Sequence, residues 1–196
     1  MESQTIPLHS PLELTLELTD EQFFQLCTDN RDLRFERTAS GGLIIMPPTG
    51  SETGNFNIDL SYQLQSWSRQ NKHLGIAFDS STGFKLPDGT DISPDAAWIR
   101  RDRWEALTAE EKKKFAPICP DFVVELRSTT DSLEKLRAKM KVYVKNGARL
   151  GWLLDRKNRK VEISRQGREV EILDEPATVS GEDVLPGFVL DLTDIF

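Results

Sequence analysis

A chain of 196 residues with 38% hydrophobic and 29% charged side chains has ordinary globular composition, too apolar for a disordered segment. Its 25 basic and 32 acidic residues leave a net charge of −7, which argues against a protein whose main task is to coat nucleic acid but does not exclude an enzyme that gathers carboxylates around a divalent cation. No apolar run nears the roughly 18 residues of a membrane span, the start carries no secretory leader, and Cys27 and Cys119 form no CxxC pair, so a soluble cytoplasmic protein with neither a disulfide framework nor a zinc knuckle is expected.

Residues 1–18 read as an extended lead-in and 19–196 as a single domain. Thr19-Asp20 opens a short helix through Phe23, Phe24, Leu26 and Cys27. Strands are expected over 33–38 and 43–46, joined at Ser40-Gly41-Gly42 and stopped by Pro47-Pro48. From Ser51 to about Gln70, Phe56, Leu60, Leu64 and Trp67 fall on one stripe of a long helix. Short strands follow near 75–78, 83–86 and 96–99, and then a surface excursion from Arg100 to Phe115 with a capping box at Thr108-x-x-Glu111. Phe122 to Leu126 is a strand buried on both faces. Ser132 to Asn146 is a helix closed by Gly147, and strands near 150–155, 161–165, 170–173 and 185–190 form a terminal meander. Strands and helices alternate, so the fold class is α/β with a mixed sheet and helices on its faces.

The chemistry is defined first by what is missing. His9 and His73 are the only histidines and read as surface residues, which leaves no Ser-His-Asp triad and no histidine-rich metal site. No GxGxxG or GxxxxGK[ST] loop cradles a phosphate. Carboxylates and lysines remain. Glu125 interrupts an apolar strand, where its charge needs a partner or a cation. At about 100° per residue, Lys139 flanks the buried stripe of the next helix while Lys135 and Lys141 face outward, so Lys139 is the amine able to reach that strand. Glu52 flanks the stripe of the earlier helix, either as a helix-start acid or as a functional one. Asp95 follows Pro94 at the mouth of a strand. Asp121 is about 13 Å along the strand from Glu125, too far to share one ion, and reads as a strand-entry acid, with Asp91 a turn residue.

Pro94-Asp95, Val123-Val124-Glu125 and a helical lysine resemble the PD-(D/E)xK nuclease superfamily. Met46-Pro47-Pro48-Thr49-Gly50, Lys139-Met140-x-x-Tyr143, Asn146-Gly147, Gly151-Trp152-Leu153-Leu154-Asp155 and Leu185-Pro186-Gly187-Phe188 narrow the resemblance to its Uma-two-type, restriction-endonuclease-like group. The resemblance implies a restriction-endonuclease-like mixed central sheet flanked by helices. It also implies Mg²⁺ or Mn²⁺ on Asp95, Glu125 and the Leu126 carbonyl, with Lys139 catalytic and Glu52 auxiliary. DNA is the implied partner and substrate, and a homodimer is expected because cutting both strands takes two sites. Arg127 occupies the position where the superfamily usually carries its lysine; it either holds a phosphate or solvates the strand end. Rival readings are a catalytically inactive DNA- or protein-binding dimer of the same fold, and a hydrolase of smaller phosphoesters.

Overall fold

The computed structural model describes residues 12–46 and 49–196. His9 and Pro47-Pro48 lie outside the described residues. In the expected lead-in, Leu12–Thr15 forms a strand, β1, followed by helix α1 (Asp20–Asp29), whose N-cap Thr19 makes a reciprocal capping box with Gln22. Strands β2 (Arg34–Arg37) and β3 (Gly42–Met46) lead to the long helix α2 (Ser51–Gln70). Next come β4 (Gly75–Asp79), β5 (Phe84–Lys85), β6 (Asp91–Ile92), β7 (Ala96–Arg100) and the short α3 (Arg101–Glu105). Strand β8 (Phe122–Leu126), helix α4 (Leu133–Lys145) and strand β9 (Leu150–Asp155) make a β-α-β unit. Then follow β10 (Lys160–Arg165), β11 (Glu171–Asp174), β12 (Thr178–Ser180) and β13 (Val189–Asp191). Among the described residues no helix is long and apolar enough to cross a membrane.

The strands divide into separate sheets. The main sheet is mixed, in the order β11-β10-β9-β8-β7-β4, and β8-β9 is its parallel pair, joined over one face by α4. A second, antiparallel sheet runs β1-β3-β2-β6-β5. The expected meander holds through β11, but β13 leaves the main sheet to pair with β12. Both faces of the main sheet are covered, which is why β8 and β9 are buried along their whole length. On one face Leu60 and Leu64 of α2 pack with Trp98, Phe122, Val124 and Trp152. On the other, Met140 and Tyr143 of α4 pack with Ala97, Val123 and Leu153. The close approach of α4 depends on Gly151, where a Cβ would stand 2.4 Å from Met140 Cε.

The chain passes between the two large sheets in three residues. Ile92 ends β6 of the antiparallel sheet and Ala96 starts β7 of the main one, so Ser93-Pro94-Asp95 lies at the seam. Asp91 is not a turn residue: it is a buried strand residue opposite Arg37, whose Nε donates to it at 2.7 Å. That ion pair holds β6, and so the seam, against β2.

Candidate active site

Register decides which acids meet. Ala96 and Ala97 of β7 stand opposite Val124 and Val123 of β8, and the Asp95 amide donates to the Val124 carbonyl at 3.0 Å. The same antiparallel step sets Asp95 opposite Glu125, whose side chain meets α4. Asp95 Oδ2 accepts from the Leu126 amide at 2.8 Å, which ties it to the backbone beside Glu125.

Helix α4 then closes over Glu125. Lys139 and Tyr143 are one turn apart on the same helix face. The Lys139 ammonium donates to Glu125 Oε2 at 3.0 Å and lies 2.9 Å from Oε1, while the Tyr143 hydroxyl donates to Oε1 at 2.9 Å. Lys139 also contacts Glu36 Oε1 of β2 at 2.8 Å and donates to the Ser93 carbonyl at 3.1 Å. The Ser93 amide in turn donates to Glu36 Oε1 at 3.1 Å. Both peptide groups of Ser93 are thereby used to fix the cluster.

Glu125 and Glu36 share one ammonium with Asp95 close by, and burial makes that crowding of acids expensive. Burial pushes the Glu125 carboxyl up to about 8; Lys139 opposes the rise, and Asp95 and Glu36 add to it. Burial likewise raises Asp95, against the pull of the Leu126 amide, Lys139, Arg34 and Asn57. For Lys139, burial alone would lower the value, but Glu125 and Glu36 outweigh it and hold the ammonium above its ordinary range. In the absence of divalent cation the folded state holds a proton on Glu125 to higher pH than the unfolded chain, which releases it near the ordinary 4.5. The folded state therefore binds more protons across that window, and stability falls as pH rises through it. Urea midpoints taken from pH 5 to 8.5 without cation should decline in the wild type and stay flatter in Glu125→Gln. Parallel curves would show that this carboxyl is ionised throughout.

The donor set suits a hard, water-rich cation. Among the described residues no three His, Cys, Asp or Glu side chains converge to hold an ion by themselves. Two carboxylates and a backbone carbonyl, with water completing the shell, match the habit of Mg²⁺ and Mn²⁺. A further oxygen stands at hand: Asn57 of α2, 8% exposed, donates from Nδ2 to Asp95 Oδ1 at 3.3 Å, and its own Oδ1 is buried without a partner.

Of the residues the sequence singles out, the structure brings together Asp95, Glu125, Lys139 and the backbone of Leu126, and leaves two others elsewhere. Glu52 is 67% exposed and pairs with Arg156 at 3.7 Å, whose guanidinium lies over the Phe56 ring. Around α2, Glu52 is about 140° from Asn57, so the flank that meets Asp95 is not the flank that carries Glu52. Arg127 is 13% exposed, and its Nη1 donates to both oxygens of the buried Asp155, at 2.9 and 3.0 Å, which binds the ends of β8 and β9. Asp121 sits at the far end of β8 and takes the Arg100 amide and the Arg103 guanidinium. Sequence reasoning missed Glu36 and Asn57. The signal for Glu36 was an acid facing inward on a short strand; for Asn57 it was an amide at about 100° on the helix, beside Leu64.

With the geometry in place, comparison with known proteins gives a family and a fold. The family model "Uma2: Putative restriction endonuclease" matches residues 20–193. A comparison with the curated proteins finds no match. Among solved structures, a putative nuclease belonging to DUF820 from Anabaena variabilis superposes with a TM-score of 0.71 at 23% identity, over 92% of this chain and 98% of that one, and shows the same fold.

Proposed function

Because the chain belongs to the Uma2 family, we propose that it is a divalent-cation-dependent endonuclease that hydrolyses phosphodiester bonds of DNA at the Asp95–Glu125–Lys139 cluster. The observation that carries this reading is a pair of cross-strand acids beside a buried ammonium that cannot neutralise them alone. Asp95, Glu125 and the Leu126 carbonyl would hold Mg²⁺ or Mn²⁺. When bound, the ion lowers the pKa of a coordinated water and offsets charge on the scissile phosphate.

The protein's own groups divide the rest of the work. Lys139 is held protonated by Glu125 and Glu36, so it does not take a proton from the nucleophile. Its part is to orient the attacking water and to stabilise negative charge growing on the phosphate oxygens. Tyr143 and Ser93 fix the Glu125 carboxylate and the Lys139 ammonium in register. A cut through both strands takes two such sites, so this reading includes a homodimer.

The test is plasmid nicking with and without Mg²⁺ or Mn²⁺, with Asp95→Asn alongside. Wild type should convert supercoiled to open-circular DNA only with cation, and Asp95→Asn should slow this by roughly a hundredfold or more. Calorimetric titration of Mn²⁺ should lose its binding heat in the same variant. Cation-independent nicking, or equal rates in the two proteins, would remove the assignment. An inactive binder of the same fold would bind duplex DNA and Mn²⁺ without nicking.

A further inference from the structure

Beside the cluster opens a cleft of about 690 Å³, bounded by α1, β2, the first half of α2 and the turn after β4. Asn57 and Ser93 line both the cleft and the cluster, so the cleft leads onto the carboxylates. Its wall carries Arg31 and Arg34 with the hydroxyls of Thr28, Ser61 and Ser80. Asp79 is its carboxylate, and it is occupied in capping its own turn through Ser81 and Thr82.

Alternation along β2 fixes where Arg34 points. Glu36, two residues on, reaches Lys139, and Phe35 and Arg37 point the other way, into the Phe23 cluster and onto Asp91. Arg34 therefore shares the face of Glu36, and its charge acts on Asp95. Several guanidiniums of this acidic protein are fastened to carboxylates: Arg37 to Asp91, Arg127 to Asp155, Arg137 to Glu162, Arg165 to Glu182. Arg34 has no such partner among the described residues; one of its nitrogens donates to the Ser80 carbonyl. A half-buried planar fork in a cleft that sets hydroxyls beside Phe24, Phe35 and Phe115, next to acids that would otherwise repel a polyanion, has the chemistry of a phosphate clamp.

We propose that Arg34 binds a backbone phosphate of the DNA strand next to the scissile one, and that the cleft between α1, β2 and α2 carries that strand to the carboxylates. The assignment rests on the nuclease reading above for its substrate. It makes Arg34 a substrate-binding residue that offsets the repulsion of Asp95 and Glu125.

The experiment is fluorescence anisotropy of a labelled 30-base-pair duplex, titrated in Ca²⁺ at several salt concentrations, paired with nicking in Mg²⁺. Arg34→Gln should weaken binding roughly tenfold at about 0.1 M salt and lower the slope of log affinity against log salt by about 1. Arg34→Lys should restore the slope and part of the affinity, because it returns the charge without the fork. In nicking, the loss should fall on KM more than on kcat. A merely structural tie to Ser80 would change thermal stability and leave the salt slope alone, and that result overturns the clamp. If the wild type nicks with cation but the Gln variant keeps its slope, the clamp fails and the nuclease reading stands. If no protein nicks but the slope still drops by about 1, the clamp stands and catalysis fails. A wild type that does not bind the duplex overturns both.

Discussion

Glu125→Gln is expected to lower cation-dependent nicking by roughly a thousandfold or more while leaving the protein folded. The reason lies in which oxygen carries the contacts. Tyr143 donates to Oε1 at 2.9 Å, which Lys139 also reaches at 2.9 Å, while the Lys139 hydrogen bond runs to Oε2 at 3.0 Å; an amide oxygen at Oε1 keeps the first two contacts, and the amide NH2 gives up the third. What the variant lacks is the second charge of the acid pair, and with it the affinity for a divalent cation. Stability should move the opposite way from activity. Burial drives the Glu125 carboxyl up to about 8, so above that pH the wild type holds an ionised group in a costly place, and a neutral amide removes the cost. Denaturant midpoints at pH 8.5 without cation should match or exceed those of the wild type. A variant that still nicks at the wild-type rate, or that fails to fold, would contradict this account.

Lys139→Met should behave in the reverse sense. It leaves Glu125 and Glu36 buried around the space of an ammonium that was 2.8 to 3.0 Å from each. Removing one member of a buried ion pair costs about 3–5 kcal/mol. The penalty should appear in full above pH 8 and shrink near pH 5, where Glu125 can take a proton instead. Nicking should fall by about a hundred- to a thousandfold, since the fixed positive charge facing the phosphate is gone. Urea unfolding at both pH values separates this from simple loss of packing, which would cost the same at each. Equal losses at the two pH values would show that the cluster is not electrostatically coupled.

Most of the frame was legible in the sequence because local pattern and tertiary context agree there. The unbroken apolar run of β8 fixes it in the sheet interior, and strand alternation then forces Glu125 onto one face. Helix angle alone separates Lys139 from Lys135 and Lys141, and the structure places it on Glu125. The family and the mixed α/β fold follow from the same segments. Legibility ends where a partner comes from a distant strand. Glu36 joins through a second sheet, a pairing that no local pattern announces. The pairing of Arg127 with Asp155 shows only once β9 stands beside β8, and Asp91 reads as a turn acid until β6 pairs with β2. Glu52 and Asn57 are five residues apart on one helix, and only the position of Asp95 chooses between their flanks.

The passage from β6 to β7 through Ser93-Pro94-Asp95 has a further consequence. Glu36 belongs to the antiparallel sheet, Glu125 to the main one, and the peptide groups of Ser93 hold Glu36 and Lys139 in place across the join. The Lys139 ammonium touches both acids and the Ser93 carbonyl only when the two sheets are joined, so neither sheet alone can form that arrangement. The charge balance of the cluster is thus a property of the two sheets joined, and it is lost wherever they part.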